Sequence, residues 1–194
     1  MNLHSPAEPD LMPPPFAEGL DDWSRGDGTP EGPTWEAAPN ARLAPGDPAF
    51  GTCLELRKVA PVERLRYMGE LPLRPGRYLE IAARVRALRG PLPRARIAAW
   101  PGGAGGRAVA DLPQLGAEAA IAASGAPVVI AAVIGPEARP GVDLVWDARA
   151  LYAHVGLDLV GPSGGVVRIE AVAVRDVTRR FLPLGRPLPG FEDI

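Results

Sequence analysis

Apolar and polar residues alternate with a period of two through most of the interior of this sequence, the pattern of strands with one face turned to a core. The clearest case is residues 78–88. There Leu79, Ile81, Ala83, Val85 and Ala87 share one face, Glu80, Arg84 and Arg86 share the other, and Pro75-Gly76 supplies the preceding turn. Shorter alternations place Leu54 and Leu56 against Glu55 and Arg57, and Leu65 and Tyr67 against Arg64 and Arg66. Val142, Leu144 and Trp146 likewise oppose Asp143 and Asp147, and Val155, Leu157 and Leu159 oppose Gly156 and Asp158. Residues 128–134 are apolar without interruption, which predicts a strand covered on both faces. Residues 166–177 slip phase at Ala171-Val172, which predicts a β-bulge. Residues 116–123 alone have a helical composition, enough for about two turns. Roughly eight to ten short strands with frequent turns predict an all-β, mostly antiparallel sandwich or barrel.

The two ends break the pattern. Pro6, Pro9, Pro13, Pro14 and Pro15 remove ladder donors and fix the backbone near polyproline geometry, so residues 1–15 read as an extended N-terminal arm. Residues 181–194 interleave Leu182, Leu184, Leu188 and Phe191 with prolines and read as a C-terminal tail, leaving residues 16–180 as the sandwich domain. A frayed terminus is the ordinary reading of such ends. Against that, a disordered segment gains nothing from regularly placed apolar residues, which makes Leu11, Met12, Pro13, Pro14, Pro15 and Phe16 a candidate docking arm.

Composition narrows the function classes. The 194 residues suit one domain plus extensions, and 46% hydrophobic residues is too many for an intrinsically disordered chain. No apolar run approaches the roughly 18 residues that would cross a bilayer, so membrane insertion is not expected. Residues 1–6 carry neither a basic n-region nor an apolar h-region, so synthesis in the cytoplasm without a signal peptide is expected. Cys53 is the only cysteine, which excludes an internal disulfide and multi-cysteine metal sites and suggests a buried thiol. A net charge of −2 gives no broad positive field for nucleic acid.

Catalytic signatures are sparse along the chain. His4 lies in the arm, His154 has no nucleophile near it in sequence, and no serine sits in a Gly-x-Ser-x-Gly elbow. Gly102, Gly103, Gly105 and Gly106 are not followed by the Lys-Ser/Thr of a phosphate-binding loop. Asp21 with Asp22 and Asp143 with Asp147 are carboxylate pairs in sequence, but spacing along the chain does not set the separation that glycoside hydrolysis needs. The chain is therefore expected not to be an enzyme, and no cofactor or metal is called for. The aromatic residues say more. Trp23 reads as a core residue, whereas Trp35, Trp100 and Trp146 fall at or beside strand ends, where core packing competes with a flat platform for a sugar ring. Trp100 with Arg96, and Trp146 with Asp143, Tyr152 and His154, are the candidate sugar-contact clusters.

Three segments carry a resemblance. Phe16-Ala17-Glu18-Gly19-Leu20-Asp21-Asp22-Trp23-Ser24, the Pro75-Gly76 turn with the strand after it, and residues 165–177 resemble the first, middle and last strands of carbohydrate-binding modules with a galactose-binding-like jelly roll. More closely, residues 11–20, 23–30, 65–70 and 154–165 are similar to head-spike proteins of the gene transfer agents of Rhodobacter-like alphaproteobacteria, a likeness that extends over most of residues 11–177. That resemblance implies a spike base on the surface of a phage-like particle. Its partners would be the capsid protein at vertices, a spike fibre protein and capsular polysaccharide. A pentamer follows only from the vertex setting, since closed symmetry is the rule for such assemblies. Two readings stay open beside the spike base: a non-catalytic module that contacts the polysaccharide itself, and, third, a carbohydrate-active enzyme. One departure matters. Such modules often hold a structural calcium with paired acidic residues in the last strand, whereas Glu170 here is followed by Ala171, which weakens the case for calcium.

Overall fold

A computed structural model describes residues 10–13, 16, 19–25, 34–36, 38–106, 109 and 113–182. Most of the expected arm, residues 1–9 with Pro14 and Pro15, and the expected tail from residue 183 to 194 lie outside the described residues.

Two β-sheets face each other across one core. The first has the order β1 (Trp23–Ser24), β4 (Val62–Tyr67), β12 (Tyr152–Val160), β7 (Arg94–Gly102) and β8 (Gln114–Leu115), with β5 (Leu71–Pro72) added to β12 and β9 (Ala119–Ala120) to β7. The second has the order β11 (Leu144–Val145), β10 (Val128–Gly135), β6 (Leu79–Arg89), β13 (Val166–Asp176), β3 (Gly51–Arg57) and β2 (Ala41–Asp47). All described pairings are antiparallel except β10 with β11. The architecture is the antiparallel β-sandwich expected from the period-two pattern.

Alternation explains the layers. In β6 the apolar positions Leu79, Ile81, Ala83, Val85 and Ala87 are buried while the residues between them are half-exposed. They meet Leu65, Ile97, Val155, Leu157 and Leu159 of the first sheet in a single cluster. Each fully buried side chain of this size stabilises the fold by about 1.5–3 kcal/mol. The expected irregularity in the last strand is present: the β6–β13 register shifts between Ile169 and Ala171. Cys53 is buried with its Sγ facing the carbonyl of Ala44, and burial pushes the thiol's pKa up, so it is not a reactive thiolate at neutral pH.

Three readings need correction. The apolar run 128–134 is not covered on both faces: Val129 is 67% exposed and Ala131 is exposed, because β10 lies next to the two-residue strand β11 at one side of its sheet. β12, by contrast, is buried on both faces, its outward Asp158 and His154 covered by side chains from its neighbours. Residues 116–123 hold no helix; Ala119 and Ala120 instead pair with Ala95 and Arg94, a segment too short to nucleate helical turns against such pairing. Finally, Met12 and Phe16 are not free to dock on a partner. Asp10 accepts hydrogen bonds from the backbone N–H of Met12 and Val174, the Leu11 N–H donates to the Val174 carbonyl, and both Met12 and Phe16 are buried in this chain's own core. Phe16, Trp23 and Tyr67 pack in series at 5.3 and 5.5 Å between ring centroids. Of the expected docking residues, Leu11 and Pro13 remain exposed.

Candidate functional site

The outward face of the first sheet gathers the richest chemistry. Inward positions of β12 are Ala153, Val155, Leu157 and Leu159, so Tyr152, His154, Gly156 and Asp158 point outward. Register then decides their neighbours. His154 stands opposite Trp100, Gly156 lies between Arg66 and Ala98, and Asp158 lies between Arg64 and Arg96.

Gly156 is itself buried, and larger side chains of the neighbouring strands stand around it. The guanidinium carbons of Arg64 and Arg66 lie 5.2 and 5.1 Å from the Trp100 ring centroid, a cation–π arrangement worth about 0.5–2 kcal/mol. Tyr152 lies over Gly102, its opposite residue on β7, where a Cβ would collide with the ring. Tyr152 and His154 meet edge to face at 5.5 Å. His154 Nδ1 lies 3.1 Å from the Gly69 carbonyl, which can only accept, so Nδ1 carries the proton and Nε2 keeps its lone pair. Burial first, and then the charge of Arg66, hold the His154 imidazole below the ordinary histidine pKa, so it is neutral at physiological pH. Trp100 is nine-tenths buried, and its indole N–H has no hydrogen-bond acceptor among the described residues. An unsatisfied buried donor costs about 1–3 kcal/mol.

The other end of the face is an ion-pair row. Asp158, fully buried, accepts from Arg64 through both oxygens at 2.8 and 3.0 Å and from Arg96 at 3.2 and 3.3 Å. Arg96 also reaches Glu118 at 3.4 Å, and Arg94 reaches Glu118 at 3.2 Å. Arg64, Arg66, Arg94 and Arg96 against Asp158 and Glu118 give this part of the face an excess of positive charge in a chain whose net charge is −2. Among the described residues, no three histidine, cysteine, aspartate or glutamate side chains converge as a metal site.

Of the residues expected to contact sugar, the structure brings Arg96, Trp100, Tyr152 and His154 onto this face and separates the other three. Trp35 is wholly buried in the core with its indole N–H donating to the Arg64 carbonyl at 3.0 Å, so it has no ring face to offer a ligand. Trp146 is buried in the core and does not join Tyr152 and His154; its backbone N–H donates to Gly135. Asp143 accepts from the Val133 N–H at 2.7 Å beside β10, far along the other sheet. Its expected companion Asp147 instead holds Arg149 through both oxygens, at 2.8 and 2.7 Å. Arg64, Arg66, Gly156, Asp158 and Glu118 also belong to the face, although sequence reasoning does not single them out as ligand contacts. Their signal is the polar phase of two alternating strands, Arg64 with Arg66 and Gly156 with Asp158.

No protein-family model matches this sequence, and no curated protein matches it by sequence. Solved structures share the fold at low identity. The CBM22-1 xylan-binding domain of Paenibacillus barcinonensis Xyn10C superposes with a TM-score of 0.58 at 11% identity, over 89% of this chain and 97% of that one. A xylan-binding domain from CBM 22 gives 0.56 at 10% identity, over 90% and 98%. The CBM22-1–GH10 structure of Clostridium thermocellum Xyn10B, complexed with xylohexaose, gives 0.53 at 9% identity, over 86% of this chain and 28% of that one. The fold is thus the β-sandwich of carbohydrate-binding modules.

Proposed function

We propose that this chain is a non-catalytic carbohydrate-binding module that holds a glycan on the outward face of β4, β12 and β7. The observation that carries this reading is the convergence of Trp100, Tyr152 and His154 with Arg66 on one face, where a buried indole N–H lacks an acceptor among the described residues. The ring edges offer apolar surface to sugar C–H groups, while guanidinium and imidazole groups offer hydrogen bonds at fixed positions. The test is a glycan array followed by calorimetry with the best ligand. Trp100→Ala is expected to weaken binding at least tenfold, which is about 1.4 kcal/mol. An unchanged affinity in a variant with native circular dichroism would remove Trp100 from the site.

The finer reading sets this module in the head spike of a phage-like particle, as the base between capsid vertex and fibre. What supports it is the sequence resemblance over residues 11–177. Because Met12 and Phe16 belong to the core, the segment left for vertex contact is residues 1–9 with exposed Leu11. Deleting residues 1–9 is expected to leave the sandwich folded and to strip spikes from particles in electron micrographs. Spikes retained at normal occupancy would contradict that assignment.

A further inference from the structure

The outward face of the second sheet has a groove of about 170 Å³ with an unusual lining: Arg42, Arg57 and Arg89 stand around Asn40, Glu55 and an apolar floor at Val166. Two features separate it from an ordinary solvated surface.

The first is charge that the protein does not neutralise. Glu55 is already engaged twice, accepting from Arg42 at 2.7 and 3.0 Å and from Arg168 at 2.7 and 3.0 Å. Burial would raise its pKa, but Arg168 and Arg42 reverse this and hold the carboxyl below its usual range, so it stays ionised and occupied. The other carboxylates of this face are taken as well: Asp47 by Arg168 and Arg86, and Glu170 by Arg84. Arg57 and Arg89 are exposed, and neither has a carboxylate within ion-pair distance among the described residues.

The second is the backbone device that places Arg89. On the regular alternation of β6, Arg89 shares the core phase of Val85 and Ala87. The β6–β13 register shifts between Val166 and Val167, so Arg89 stands opposite Val166, which on its other side stands opposite Arg57. A bulge re-aims a side chain in this way, and bulges recur beside binding sites. Two guanidiniums thus flank one apolar residue from adjacent strands, and Asn40 fixes the neighbouring turn by donating from Nδ2 to the Arg57 carbonyl at 2.9 Å.

We infer that this groove binds the acidic group of a charged sugar unit, such as a uronate, with Arg57 and Arg89 on the carboxylate and Val166 under the ring. Guanidinium forks suit carboxylate oxygens two at a time, and the volume admits a single ring rather than a folded peptide element. The groove lies on the opposite sheet from Trp100, so it is separate from the proposed glycan face.

The experiment is calorimetry of the full chain with three probes: an oligogalacturonate hexamer, the neutral xylohexaose, and a hexaglutamate peptide. The oligogalacturonate is expected to bind, with affinity falling as salt rises. The double variant Arg57→Gln/Arg89→Gln is expected to lose at least tenfold in that affinity. Both side chains are exposed, so the variant keeps its fold, checked by its melting temperature. No binding of oligogalacturonate at millimolar concentration overturns the inference. Equal binding by the double variant also overturns it and moves the acidic sugar to another surface, leaving the reading of the Trp100 face intact. Hexaglutamate binding as tightly as oligogalacturonate would overturn the assignment to a sugar.

Discussion

Replacing Lys58 with methionine is expected to lower the melting temperature by roughly 10 °C. Lys58, the only lysine of the chain, is wholly buried, and its ammonium donates to the carbonyls of Ala60, Pro61 and Gly161. Main-chain bonds run through the same place: Lys58 N–H to Gly165, Gly164 N–H to Lys58, and Gly161 N–H to Pro61. The residue therefore ties the turn before β4 to the turn after β12 with a fixed cation. Burial pulls its pKa down, while the nearby Glu63 pulls it back up. Methionine fills much of the same volume but leaves carbonyls without donors, at about 1–3 kcal/mol each. A total near 3–5 kcal/mol converts to about 10 °C for a domain of this size, at 2–4 °C per kcal/mol. Differential scanning calorimetry reads this directly, and an unchanged transition would contradict the role given to the ammonium.

The second large effect is expected at Gly156. A Cβ there would overlap the Leu65 carbonyl oxygen and come within 2.9 Å of Arg66 Cα, both on the adjacent strand β4. Backbone, unlike a flexible side chain, cannot swing aside, so Gly156→Ala must push β4 away from β12. Overpacking of this kind costs about 1–3 kcal/mol and more where backbone must shift, so a loss of about 3 kcal/mol or more is expected in urea unfolding. The same change would move Arg66 relative to Trp100 and so disturb the candidate face. A stability within experimental error of the parent chain would show that the two strands are less closely pinned than their register implies.

How far the molecule is legible in its sequence differs between fold and site. Alternation at 78–88 and the phase slip near Ala171 survive intact, since both depend on side-chain parity along a single strand. The misreadings at β10 and β12 share one cause. Val129 and Ala131 are apolar yet exposed, and Asp158 is charged yet wholly buried, because what covers a strand depends on its neighbours rather than on its own residues. The site shows the same limit. Trp100, Tyr152, His154 and Arg96 are recognisable as chemistry-bearing residues, but their grouping needs the His154–Trp100 register between β12 and β7. Period-two patterning carries no inter-strand register. For the same reason nearness in sequence groups Trp146 and Asp143 with Tyr152, and the structure places them beside β10 instead.

The proposed glycan face is tested most directly by the indole N–H resonances of the four tryptophans in ¹H–¹⁵N spectra during titration with the best array ligand. Trp100 is expected to shift progressively and saturably as ligand occupies the face around its ring, while Trp35, wholly buried with its N–H bonded to the Arg64 carbonyl, stays in place. A ligand that binds measurably while the Trp100 resonance stays unmoved would contradict the central claim.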